Sequence, residues 1–174
     1  MEISREAPEM RSALLIIDMQ NAFIDEYSNQ KVVEDTCEVI NYCSQLMRDA
    51  DKPVIHIRDT SEAGELSKKD LAIVESISVK SSDLHLEKHY SNAFFKTELS
   101  EMLKQLDVTF VILCGQAAEQ CVVFTYNGAN EAGFQATVSQ EGVISPKPGR
   151  AKMLMEDRNV ISHAAIRALI CRPD

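Results

Sequence analysis

Two short runs, Ser12 to Asp18 (SALLIID) and Val108 to Cys114 (VTFVILC), are apolar at almost every position and have polar or glycine neighbours where they stop. A strand with one wet face alternates apolar and polar residues, whereas an unbroken apolar run bounded by turn signals fits a strand covered on both faces. Strands of that kind belong to parallel sheets sandwiched between helices, so these two runs constrain the fold more than any other feature.

The rest of the chain supplies the helices. Apolar positions between Val32 and Met47 recur at helical intervals (Val33, Cys37, Ile40, Leu46, Met47), and Lys52-Pro53 stops that helix. Pro53 to Ile57 (PVIHI) reads as a second strand, Arg58 to Ser67 as a polar loop and Lys68 to Glu75 as a short helix. Leu84 to Lys88 is a third strand that ends on a lysine, and Thr97 to Leu106 a helix capped by Thr97. After Val108 to Cys114, Gly115 breaks the strand, and a helix over Ala118 to Ala132 is ended by Gly133. Phe134 to Val138 is a fifth strand, Gly149 to Arg158 a helix, and Ser162 to Ile170 a last helix capped by Ser162. Strands alternating with helices predict an α/β fold: a three-layer α/β/α sandwich around a mostly parallel, doubly wound sheet. A chain of 174 residues has room for one sizeable core, so a single domain over residues 1–174 is expected.

A formal net charge of -9, with lysines and arginines scattered along the chain, disfavours phosphate backbones and anionic lipid. No nucleic acid and no membrane is therefore expected as a partner, and a small-molecule substrate is. The five cysteines (Cys37, Cys43, Cys114, Cys121, Cys171) are odd in number and lack CxxC spacing, and the sequence opens without the pattern of a secretory leader. Reduced thiols in a cytoplasmic protein are the expectation.

Doubly wound sheets bind ligands beyond the carboxyl ends of their strands. Asp18, Lys88 and the turn from Gly115 to Cys121 all fall at such ends. A cysteine just after a strand-to-helix turn meets unpaired amides that favour a thiolate; a neighbouring carboxylate can take its proton, and a lysine can hold both anions. Each residue taken alone also has a plain structural reading: an inert core thiol, a strand-end cap, a solvated lysine.

Three ordered motifs then carry a family resemblance. LLIIDMQNAFID (Leu14 to Asp25), EKHYSNAFFKTEL (Glu87 to Leu99) and VILCGQAAEQCV (Val111 to Val122), continued by Ala129 and Gly133, resemble the isochorismatase-like cysteine hydrolases, the group that includes nicotinamidase and N-carbamoylsarcosine amidase. The resemblance implies that Cys121 is a nucleophile, Asp18 its proton acceptor and Lys88 their electrostatic partner. It also implies a cis peptide between Gln116 and Ala117, an oxyanion hole from the amides of Ala117 and Cys121, and a substrate pocket involving Phe23, Gln20 and Tyr90. The reaction implied is cleavage of a C–N bond of a small amide or ureide through a thioester. Vinyl ether hydrolysis by acid catalysis, and a non-catalytic binding protein, are the alternatives. A homo-oligomer, dimer or tetramer, is expected on the same ground.

The pattern is broken in places. Related nicotinamidases hold a metal through an aspartate and histidines after the second strand, but here Asp59 has no histidine two places later, so no metal and no cofactor is expected. His56, His85, His89 and His163 are dispersed, with His89 nearest the lysine. Ala118 replaces a small hydroxyl residue, Asn92 a serine and Gly128 an aspartate. Glu119 is expected to complement the dipole of the helix that carries Cys121. Tyr90, Phe94 and Phe95 are read either as a wall for a flat substrate or as core.

Overall fold

The computed structural model describes residues 11–25, 27 and 29–170. Its centre is a six-stranded sheet in the order β3-β2-β1-β4-β5-β6, with every neighbouring pair parallel. The strands are β1 (Ser12–Ile17), β2 (Val54–Asp59), β3 (Leu84–Lys88), β4 (Phe110–Gly115), β5 (Gln135–Val143) and β6 (Val160–Ile161). The chain winds outward from β1 through β2 to β3 and outward from β4 through β5 to β6, so the order reverses between β1 and β4. That reversal opens a crevice at the carboxyl ends of the two most buried strands.

Alternation along β1 assigns its residues to opposite faces. Ala13, Leu15 and Ile17 join one core cluster, with Leu99 and Leu103 of α3 (Leu99–Gln105), Tyr126 and Ala129 of α4 (Val123–Glu131) and Leu154 of α5 (Arg150–Asp157). Leu14 and Ile16 join the other, with Val33, Cys37, Ile40, Cys43 and Met47 of α2 (Gln30–Asp49) and Ile166 of α6 (His163–Ile170). Both faces of β1 are thus covered, which is why its sequence carries no polar alternation. Among the described residues no helix is long and apolar enough to cross a membrane.

Several expectations change in detail. A short helix α1 (Asn21–Ile24) follows β1 unforeseen, and β6 is new. No helix forms over Lys68 to Glu75. There Ile73 pairs with Gln20 in an antiparallel bridge, and the Val74 amide donates to Met19 O at 3.0 Å, so backbone groups are committed to the segment after β1. The helix expected at Thr97 starts at Leu99, with the Leu99 amide donating to Thr97 Oγ1. Ser162 caps α6 as expected, its Oγ accepting from the Ala165 amide at 3.2 Å. Strand β5 runs five residues beyond Val138, through a register shift against β4 that pairs Val143 with Gly115.

A polar clamp lies under the edge of the sheet. Asp83, buried before β3, takes two hydrogen bonds from the Arg48 guanidinium of α2 at 2.9 and 2.7 Å, one from the Lys80 amide at 2.8 Å, and sits 3.0 Å from His56 Nε2 on β2. Burial would raise the Asp83 carboxyl, but these donors outweigh it and hold it at about 2. The His56 imidazole, pushed below its ordinary value by burial, stays neutral at physiological pH. Because the native carboxylate binds its proton less tightly than the unfolded one, its stabilisation is full above about pH 4 and fades as pH falls through about 2. Asp83→Asn should cost about 2 kcal/mol near neutral pH, and chemical denaturation across pH should show the gap to wild type closing in that acid window.

Candidate active site

The reversal of strand order brings four strand ends together. Asp18 follows β1 in a left-handed conformation (φ 51), which an aspartate tolerates better than most side chains. Its amide donates to Ile57 O at 2.9 Å, while its carbonyl accepts from the Gln20 amide and from the Gln116 side chain. Gly115 ends β4 at φ 106, and a Cβ there would stand 2.1 Å from the Ile17 carbonyl oxygen. Only glycine fits so close to β1. The peptide bond from Gln116 to Ala117 is cis. Beyond it the chain makes a π turn, Ala118–Val122, in which Gln120 leaves helical geometry (φ -123, ψ -112), before α4 begins. The sequence pattern had implied one continuous helix from Ala118. The turn is pinned by Ala118 N–H to Ile144 O and by the Gln120 and Val122 amides to Ala117 O.

At the focus of these ends is Lys88, the last residue of β3, with 0% of its surface exposed. Its ammonium lies 2.8 Å from Asp18 Oδ2, 2.8 Å from Asp59 Oδ2 and 3.3 Å from Cys121 Sγ. The three residues expected to act together therefore do meet. Asp59, considered beforehand only as the remnant of a metal motif, is a fourth. One oxygen of each carboxylate and the Cys121 sulfur lie within 4.8 Å of one another, a spacing a divalent ion can bridge, but the Lys88 ammonium already bonds to all three groups. The cation this donor set holds is the lysine.

Electrostatics decide where the proton rests. Burial pushes the Asp18 carboxyl up to about 6 despite the adjacent ammonium. Burial, then the Asp18 charge, push the Cys121 thiol up to about 12 against the pull of Lys88. Burial alone would lower Lys88, but Asp18 and Cys121 carry it above its ordinary value. Asp59, whose burial would raise it, is held below the usual carboxylate range by Lys88 and Ser61. The resting pair near neutral pH is thus thiol and carboxylate. The thiolate expected from a helix amino terminus is disfavoured here, because burial and then the Asp18 charge oppose it.

A cavity of about 360 Å³ opens onto these groups, lined by Phe23, Ser91, Ala117, Glu119, Gln120 and Lys147 along with Asp18, Asp59 and Cys121. Phe23 is one of the residues that line it. Gln20 does not line the cavity: it is fully buried, and its amide holds Asp59 O and Leu71 O, both at 3.0 Å, and accepts from the Asp59 amide at 2.8 Å. Tyr90 is exposed and packs edge-on against Phe95 with Lys96 over both rings, and His89 is exposed outside the cavity. His56 and His85 stack on each other, and His163 meets Tyr42. Glu119 lies on the cavity wall 3.9 Å from Lys147. Two departures from the family pattern explain each other: a Cβ on Gly128 would fall 2.2 Å from Asn92 Oδ1, so the larger Asn92 fills space that the glycine vacates. Gln116, expected only as one side of the cis peptide, also ties the turn through its side chain to the Tyr27 hydroxyl at 2.7 Å and to Asp18 O at 3.0 Å.

The isochorismatase domain family matches residues 12–165, nearly the whole described chain. The chain belongs to the isochorismatase family. Among curated relatives it is similar to the uncharacterised isochorismatase family protein YrdC of Bacillus subtilis, 28% identical over 134 residues that cover 72% of this chain and 70% of that protein. Among solved structures it resembles a cysteine hydrolase from Pseudomonas syringae pv. phaseolicola, with a TM-score of 0.79, 18% identity and 92% of each chain covered. It also resembles N-carbamoylsarcosine amidase from Thermoplasma acidophilum, with a TM-score of 0.75, 21% identity and coverage of 88% of this chain and 97% of that one. At these identities the likeness is one of isochorismatase fold, and the site rests on its own geometry.

Removing the buried ammonium would leave Asp18 and Asp59 facing each other without a cation. Lys88→Met should lower stability by about 3 to 5 kcal/mol near neutral pH. Denaturation in mild acid should show a smaller loss, because the two carboxyls then take up protons.

Proposed function

We propose that this isochorismatase-family protein is a cysteine hydrolase that cleaves a C–N bond of a small amide or ureide through a thioester. The observation that carries the reading is the contact of one buried ammonium with both a carboxylate and a half-buried thiol at the strand-order reversal. A thiol held near 12 is a poor nucleophile alone, but beside a carboxylate of about 6 it needs only a short proton transfer as it attacks.

In the proposed reaction the Cys121 thiol gives its proton to Asp18 as the sulfur bonds to the substrate carbonyl carbon. The C=O electron pair moves to oxygen, where the amides of Ala117 and Cys121 stabilise it. Collapse of this intermediate breaks the C–N bond, and the proton on Asp18 passes to the departing nitrogen, releasing ammonia or an amine. Water then gives a proton to Asp18 and attacks the thioester; the acid leaves, the proton returns to sulfur, and the site is restored. Lys88 stays charged throughout and offsets the anion that moves between sulfur and carboxylate. A cavity of about 360 Å³ with one aromatic side chain, Phe23, suits a small substrate. The free thiols at Cys37, Cys43, Cys114 and Cys121 support a reducing, cytoplasmic setting.

Ammonia release from a panel of small amides and ureides tests the reading. Cys121→Ala and Asp18→Asn should each cut turnover by about a thousandfold or more. Since Asp18 must be ionised to accept the thiol proton, kcat/KM should fall as pH drops through about 6. Turnover that survives in Cys121→Ala but vanishes in Asp18→Asn would instead support acid-catalysed vinyl ether hydrolysis.

A further inference from the structure

Asp59 stands outside the three residues to which the reaction above gives roles, yet it is fixed as firmly as any of them. Its Oδ1 accepts from the Ser61 amide at 2.9 Å and the Ser61 hydroxyl at 2.6 Å, leaving Oδ2 for Lys88 at 2.8 Å. Its backbone amide and carbonyl are both held by the side chain of Gln20, which is fully buried. Gln20, Asp59 and Lys88 thus form one hydrogen-bonded line from the end of β1 to the catalytic focus. Conformational freedom has been removed at each step along it.

We propose that Asp59 is a positioning residue of the hydrolytic site, sharing the Lys88 ammonium with Asp18 so that Lys88 keeps one fixed anionic partner at every stage of the reaction. The inference rests on the cysteine-hydrolase reading above. At rest Lys88 has two carboxylate partners, Asp18 and Asp59. When the thiol proton moves to Asp18 and the sulfur bonds to carbon, the negative charge passes to the carbonyl oxygen, and Asp59 is the carboxylate left on the ammonium. Held by Asp59, the ammonium has no reason to move. Without Asp59, Lys88 would follow the migrating anion alone. The charge of Asp59 also adds to the burial that keeps Asp18 a usable base near neutral pH. The ionisable groups facing this pair are Asp18 from β1, Lys88 from β3, Cys121 and Glu119 from the π turn, and Lys147 from the loop after β5.

The test is the pH dependence of Cys121 alkylation by iodoacetamide, read by peptide mass spectrometry, beside amide turnover. In wild type, alkylation should favour Cys121 over the buried Cys37, Cys43 and Cys114 and rise with a midpoint near 6. Asp59→Asn keeps the shape and an oxygen for Lys88 but removes the charge. Its midpoint should fall by about one unit, giving up to about tenfold faster alkylation on the acid side, while turnover at the pH plateau falls about tenfold. Ser61→Ala, a change at an exposed residue, loosens Asp59 and keeps its charge; the midpoint should stay in place while turnover drops a few-fold. A wild-type midpoint and wild-type turnover in Asp59→Asn would overturn the inference and leave the cysteine-hydrolase reading standing. If the asparagine variant does not fold, undiminished turnover in Ser61→Ala overturns it. Cys121 that labels no faster than the buried cysteines in wild type would defeat both.

Discussion

A charged lysine with no exposed surface is expensive to bury, and the isochorismatase fold of this chain is arranged around that cost. Taking an ammonium out of water costs several kcal/mol even after relaxation, so Lys88 persists only because two carboxylates and a thiol are brought to it. Each arrives from a different element: Asp18 from the end of β1, Asp59 from the end of β2, Cys121 from the turn after β4. None of the three would be near the others in an unfolded chain. The site is therefore a product of the strand order, and the strand order brings its own requirements, such as a glycine at 115 to let β4 end against β1.

The same confinement separates the protons from where isolated residues would hold them. A carboxylate raised to about 6 and a thiol raised to about 12 are both made worse as ions by burial, and the ammonium does not fully compensate either. What it does is make exchange between them possible, since the anion on either atom remains within reach of the same Nζ. The chemistry supported here is one in which charge moves over a short distance inside a fixed frame, with little solvent to reorganise.

Much of this frame was legible in the sequence. The apolar runs of β1 and β4 announced a sheet covered on both faces, and the strand-end positions of Asp18 and Lys88 announced the crevice. The sequence leaves unmarked the places where polar side chains and committed backbone groups shape the structure. The strand expected to end at Val138 continues past Ser139, Gln140 and Glu141, because a register shift carries the pairing on to Val143. The helix expected over Lys68 to Glu75 had the right residues, but Ile73 and Val74 were committed by backbone contacts to the segment after β1. Gln20, expected to touch substrate, is a buried strut, because a motif position shows that a residue matters without showing what it touches. Asn92 and Gly128 looked like separate departures until packing showed them to be a matched pair. Asp59 was visible only as an incomplete metal motif, since nothing in one dimension indicates that a lysine 29 residues further on will lie against it.

The account stands or falls on the proton held at Asp18 beside a charged lysine. NMR titration of isotopically labelled aspartate carboxyls in the folded protein, with assignment by Asp18→Asn, measures it directly. Asp18 should titrate with a midpoint of about 6 while Asp59 stays below the ordinary carboxylate range and Cys121 remains protonated at neutral pH. An Asp18 midpoint at the unperturbed value of about 4, or a Cys121 thiolate already present at neutral pH, would contradict it.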